Sequence, residues 1–328
     1  LFMGHKTTRR EFLKQMALTG AALAALPGVV EAAGKMAAGG KSRVVIATDA
    51  AALTKDNEAV QAVVEKMLGM SMAMLTDSKN GAEAWKKLFS PKDVVGIKVN
   101  CLFGKMVSTR PEVVLAVIAG LKTAGVDENN IIVWDRSSSD LAKCGYILNK
   151  TGAGVKYFAD DDHWGPEIQQ GAFKGRITKV ISEKVTAIIN MPILKTHGIT
   201  GISCCLKNHY GSFDNPGNHH GHCCNPAMAD FSSIPMVKDK TRLVVVDVLR
   251  PQHSGGPGLQ VEDQFNCYSM MVSADPVAAD YLGLQIIQDK LTQLGKELIP
   301  DKKLGWLTSA QERGVGTCDP RKIDLLRV

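Results

Sequence analysis

From Arg43 onward, short runs of continuous apolar residues alternate with stretches whose apolar positions recur every three or four residues. Runs of that length, rich in Val and Ile and without polar alternation, read as strands buried on both faces. They fall at Arg43–Thr48, Val94–Val99, Ile131–Trp134, Val155–Phe158, Thr186–Asn190, Leu243–Val246 and Tyr268–Val272. Helical spacing occupies Asn57–Met74, with Val60, Val63, Val64, Met67 and Leu68 on one side. Thr109-Arg110-Pro111-Glu112 has capping-box spacing with Pro in the first turn and opens a helix that Gly125 ends. Further helices are predicted through Leu141 and Leu148, from Asn225-Pro226 through Phe231, and from Asp275-Pro276 to Leu291. Strands alternating with helices in this way predict an α/β fold, a largely parallel sheet with helices on both faces.

An open parallel sheet binds its ligands in the crevice at the carboxyl ends of its strands. Asn100, Asp135, Asn190 and Asp247 each stand directly after an apolar strand, so they predict a polar rim there. The richest chemistry lies between Val185 and Phe231, which holds half of the eight cysteines and five of the eight histidines. If Gly198–His209 is helical, Cys205 and His209 share a face at i and i+4, a spacing that lets two side chains bind one metal. Cys223 and Cys224, just past His219, His220 and His222, supply donors from the far side of the loop. Cys205, His209, His220 and Cys224 are therefore the candidate ligands of a metal ion or an iron-sulfur cluster. Buried structural thiols, or disulfides, account for the same residues without a metal. Lys195 and Lys207 are candidates to hold an anion, and His197 is the candidate proton-transfer group.

Several other chemistries drop out. Neither C-x-x-C nor the four-cysteine ferredoxin run is present, and G-x-S-x-G, H-E-x-x-H and G-x-G-x-x-G are missing too. Gly39-Gly40-Lys41-Ser42 resembles a phosphate loop, but Lys35 stands where its first glycine belongs and the segment precedes a strand. With 328 residues, 45% of them apolar, the chain can bury a full core. Lys and Arg outnumber Asp and Glu by 39 to 33, and by 35 to 31 once residues 1–32 are set aside. That balance, with no basic stripe of interleaved aromatics, argues against nucleic acid. The first 32 residues join Arg9-Arg10, an apolar run from Met16 to Leu26 and a small-residue exit at Val30-Glu31-Ala32. This pattern predicts a twin-arginine signal peptide and a periplasmic or extracytoplasmic protein without a stable membrane span after signal removal. Residues 33–42 read as a linker, and 43–328 as a single α/β domain.

Pro192-Ile193-Leu194-Lys195-Thr196-His197, Gly198-Ile199-Thr200-Gly201 and Leu206-Lys207-Asn208-His209-Tyr210-Gly211 together form a recognisable signature. With Ile97-Lys98-Val99-Asn100, Thr109-Arg110-Pro111-Glu112, Gly255-Gly256-Pro257 and Ser273-Ala274-Asp275-Pro276, the chain resembles the domain of unknown function 362 family, in an exported form. The resemblance implies a site built on Lys98, Asn100, Lys195, His197, Lys207, Asn208 and Asp275, with Cys224 and Asp230 in the exported branch. It implies no settled activity, although relatives are sometimes fused to iron-sulfur modules. The first strands and the Thr-Arg-Pro helix are also similar to the start of lactate racemase-type proteins, as an analogy of fold only. The function expected from these readings is redox or metal-assisted chemistry on a small anionic molecule. The alternative is a non-enzymatic electron-transfer or binding subunit of a periplasmic assembly.

Overall fold

A computed structural model describes residues 40–328; the predicted signal peptide and the predicted linker up to residue 39 lie outside the described residues. Ser42, the last residue of the predicted linker, belongs to the first strand and donates its hydroxyl to Asp275 Oδ2 at 2.6 Å. Twelve strands follow: β1 Ser42–Thr48, β2 Val95–Lys98, β3 Ile131–Trp134, β4 Lys156–Tyr157, β5 Glu167–Gln170 and β6 Phe173–Arg176. The second half adds β7 Ala187–Asn190, β8 Ile193–His197, β9 Gly201–Ser203, β10 Thr241–Gln252, β11 Ser269–Ser273 and β12 Ile323–Arg327.

Ten of these form one mostly parallel sheet in the order β12-β1-β11-β10-β7-β2-β3-β4, with β8 beside β10 and β9 beside β8. The antiparallel exceptions are β11 against both its neighbours and β9 against β8. β5 and β6 make a separate antiparallel hairpin. In register, Lys98 faces Trp134 on one side and Asn190 on the other, so β2, β3 and β7 end level. The residues that leave these three strands therefore emerge at one edge of the sheet.

Continuous apolar strands are what two covered faces require, because successive side chains point to opposite sides. In β1, Val44 and Ile46 enter one core while Val45 and Ala47 enter the other; in β10, Val244, Val246 and Val248 oppose Leu243 and Val245. The helices Gln61–Leu75, Gly81–Leu88 and Pro111–Thr123 cover the second face, and Ala227–Ser232, Pro276–Gln293 and Gly305–Glu312 the first. Among the described residues, no helix is long and apolar enough to cross a membrane.

Four local expectations fail. Asp247 does not end its strand, because β10 runs on to Gln252. Gly198–His209 is not one helix: a turn and β9 come first, and only Cys205–Asn208 is α-helical. The helix predicted through Leu148 stops at Lys143, and Leu148 is exposed. Thr109 does not cap its helix through a capping box; its Oγ1 accepts from Asn100 N at 2.9 Å and donates to Met191 O at 2.6 Å. The hydroxyl thereby ties the ends of β2 and β7 to the helix that begins at Pro111, which has the predicted proline in its first turn.

Candidate functional site

A cavity of about 390 Å³ opens where β2 and β3 end and β8 passes. Its floor comes from Asn100 and Asp135, one side from Lys195 and His197 on β8, and the opposite side from Lys207, Asn208, Tyr210 and His220. This is the crevice that a parallel sheet offers to a ligand.

The floor is anchored by a buried charge pair. Lys98 is 0% exposed, and its Nζ donates to Asp135 Oδ1 at 2.6 Å and to Val99 O at 2.6 Å. Asp135 also accepts from the backbone N–H groups of Cys101 at 2.6 Å and Arg136 at 2.8 Å. Buried charges persist only when paired and hydrogen-bonded in this way. The backbone packs onto the pair at Gly211, where a Cβ would fall 2.3 Å from Asp135 Oδ1 and 2.8 Å from Lys98 Nζ. Asn208 Nδ2 donates to Lys98 O at 3.1 Å and to Asn190 Oδ1 at 2.7 Å, and Asn190 Nδ2 donates to Cys205 O at 2.8 Å. This chain of amides joins β2, β7 and the helix Cys205–Asn208.

Above that layer stand the groups that can act on a ligand. Lys195 Nζ donates to Asn100 Oδ1 at 3.0 Å and Val107 O at 2.8 Å. Lys207 Nζ lies 3.4 Å from His220 Nε2 and 3.4 Å from the centre of the Tyr210 ring. Burial strips water from both ammonium groups and pulls each down to about 8. Burial, reinforced by Lys207, His220 and Lys195, pushes His197 down to about 3. Its Nδ1 accepts from the N–H groups of Ile199 at 3.2 Å and Thr200 at 3.4 Å, so the neutral ring carries its proton on Nε2. His220 stacks on His197 with centroids 6.1 Å apart and is lowered by burial and by Lys207. Two cations with weakened proton affinity and a neutral imidazole N–H thus share one cavity.

The predicted metal ligands are not gathered around one point. Among the described residues, the donor group that closes within 4.8 Å is Cys204, Cys205 and Asp280, which could hold a metal ion. The two sulfurs are 3.8 Å apart, and Asp280 accepts from Cys205 N at 2.5 Å and Leu206 N at 3.0 Å. Burial raises Asp280 to about 7 and Cys204 to about 11, and moves Cys205 upward as well. His209 turns instead to Ser212 Oγ at 3.2 Å and packs on Phe231. His220 lines the cavity, while Cys224 is buried beside the Tyr210 hydroxyl. The reason is geometric. Two positions along a helix turn a side chain by about 200°, so Lys207 faces the cavity while Cys205 faces the core. All eight cysteines are free.

Asp275 also stands apart from the cavity. It caps the helix Pro276–Gln293 by accepting from Val277 N and Ala278 N, and its other oxygen accepts from Ser42 Oγ and Thr317 N. Asp230 is held by Arg313 Nε at 2.5 Å and Ala172 N at 2.8 Å. Of the four polar residues expected at the rim, Asn100 and Asp135 line the cavity. Asn190 is buried in the amide chain, and Asp247 takes both oxygens to Arg110 Nη1 at 2.7 and 2.8 Å. Sequence reasoning missed Asp280, whose signal is a lone acid within the apolar turns Val277–Leu284, and it missed Tyr210, Leu102 and Phe103 at the cavity wall.

A family model described as domain of unknown function (DUF362) matches residues 95–285, the span that carries the cavity. No curated protein matches the chain. A Thermotoga maritima protein solved as a structural-genomics target is similar at a TM-score of 0.39 and 12% identity, over 73% of this chain and 60% of its own. The lactate racemase apoprotein from Thermoanaerobacterium thermosaccharolyticum is similar at a TM-score of 0.39 and 11% identity, over 75% of this chain and 57% of its own. The chain thus spans less than two thirds of either solved protein, and likeness of this degree says nothing of activity.

Proposed function

The chain belongs to the DUF362 family, whose name carries no reaction, and from the cavity itself we propose that the protein binds a small anionic molecule and moves a proton on it. One observation carries this reading: Lys195 and Lys207, both pulled down to about 8, converge with the neutral His197 at the carboxyl edge of a parallel sheet. Lys207 and Lys195 would hold the anionic head. A lysine near 8 also gives up its proton far more readily than a solvated one, and Lys207 has His220 Nε2 within reach as relay. His197 would donate from Nε2 to an oxygen on which charge develops, the role of a neutral imidazole rather than of a base. The test is proton NMR of a panel of small 2-hydroxy and 2-oxo carboxylates in D₂O. Catalysed C–H exchange that Lys207→Met abolishes is expected; a protein that neither exchanges any of them nor binds acetate or phosphate sinks the reading.

A second reading rests on Cys204, Cys205 and Asp280. Two thiols and one carboxylate suit a single soft divalent cation such as zinc. An iron-sulfur cluster draws on about four cysteines, and the donor set here is smaller. A bound cation would fix the start of the helix Cys205–Asn208 once both thiol protons were lost. Anaerobic purification with metal analysis decides: stoichiometric metal that Cys205→Ser removes supports the cation, and metal-free protein with two reactive thiols discards it.

The export route remains part of the proposal. Arg9-Arg10 and the apolar run behind them support it. Cell fractionation of a strain carrying Arg9→Lys and Arg10→Lys should show the precursor retained in the cytoplasm.

A further inference from the structure

The cavity is polar at its base and apolar at its mouth. Leu102 and Phe103 are each 49% exposed and Ile199 is 38% exposed, and all three line the opening beside Pro257. Phe103 is the most telling of them. It has a backbone φ of 78°, in the left-handed region that aromatic residues rarely occupy. Its ring is half in solvent, so little packing repays that strain. The ring nonetheless lies over the cavity, with Lys195 Nζ 5.8 Å from its centre. A strained backbone that presents an aromatic face to an open cavity, directly above a cation, is a feature that stability alone disfavours. The cavity volume of about 390 Å³ also falls in the range of about 300–1,000 Å³ typical of sites for ligands larger than a three-carbon acid.

We propose that the ligand is an amphiphilic anion, with a carboxylate or phosphate head on Lys207 and Lys195 and a flat apolar body lying on Phe103, Leu102 and Ile199. This rests on the anion-binding reading above and adds the chemical class of what is bound. Apolar contact with an aromatic ring adds affinity in proportion to the area withdrawn from water. A small carboxylate that reaches only the lysines forgoes that gain.

The experiment compares acetate with 2-naphthoate, which share a head and differ in body, by equilibrium titration at pH 7 against wild type, Phe103→Gly and Lys207→Met. Naphthoate should bind the wild type at least tenfold more tightly than acetate, whether acetate binding is measurable or merely below detection. Phe103→Gly should remove most of that advantage while holding or raising the melting temperature, because glycine accepts the positive φ without strain. A loss of binding that comes with undiminished stability separates a ligand contact from a structural residue. Lys207→Met should weaken both ligands together. Equal affinity for the two acids overturns the inference and leaves the anion site standing. Tighter naphthoate binding that Phe103→Gly does not alter also overturns it, by placing the body elsewhere. Failure of both acids to bind the wild type overturns the anion site itself.

Discussion

Two groups of reactive side chains, a few residues apart in sequence, ended in opposite environments. Lys207 and Asn208 open onto a cavity with Lys195, His197 and His220, whereas Cys204 and Cys205 point into a dry core and meet Asp280 from a distant helix. In the cavity the polar atoms are only partly engaged. Lys207 leans on an aromatic ring and one imidazole, leaving donors for a ligand. In the core, both oxygens of Asp280 already accept backbone N–H groups. Polar density along a chain is therefore not convergence in space. Half a turn of helix is enough to send Cys205 and Lys207 to separate sites.

The charge pair at the floor of the cavity is the most sensitive point of the molecule. Lys98→Met strands the buried Asp135 carboxylate and should cost about 3–5 kcal/mol in urea unfolding. A cost below about 1 kcal/mol would mean that water reaches the pair and that the floor is not closed. Next comes Lys207→Met, which removes a charge-assisted contact of about 1.5–3 kcal/mol and should weaken phosphate or acetate binding about 10- to 100-fold with the fold intact. Gly211→Ala puts a methyl group against Asp135 Oδ1 and Lys98 Nζ and should lose about 1–3 kcal/mol of stability, since these two buried side-chain ends are locked to each other and cannot swing aside without breaking their pair.

A pH titration separates the cavity from the core without mutation. The two lysines titrate near 8 in the folded chain and near the ordinary lysine value of about 10.4 when unfolded. Between those values the unfolded chain holds more protons, so their burial penalty fades and stability rises with pH. Anion affinity runs the other way and should fall as pH climbs past 8, approaching about tenfold per unit for each lysine the anion needs charged. Bound anion raises the lysine values, so the midpoint in binding lies above 8. Affinity and stability that rise together would show the lysines are not the anion's partners. The smallest effect belongs to the core: Cys205→Ala should cost on the order of 1 kcal/mol and change anion affinity less than about twofold.

Much of this architecture was legible beforehand for a simple reason. Central strands carry apolar residues on both faces, and that continuity is visible at β1, β2, β3, β7 and β11 without any knowledge of partners. β5 escaped notice because Glu167–Gln170 is polar and mostly exposed, so no period marks it. Lys195, His197 and Lys207 were identifiable from their residue types next to a strand end, and the structure brings them together. The metal ligands were not, because i and i+4 spacing names a shared face and not a shared partner: His209 turns to Ser212, while Cys205 lies with Cys204 and Asp280. Asp280 and Phe103 carry no local mark of function; one depends on a contact 75 residues away and the other on a backbone angle.

The position of Lys195 has a dynamic corollary. Its ammonium holds Asn100 and Val107, which stand at the two feet of the loop bearing Leu102 and Phe103. Two of its three N–H directions are committed to those feet, and the third is the one an anion would take. Loop and guest would then hang on one ammonium, so a guest that displaces Lys195 disturbs both feet of the loop at once.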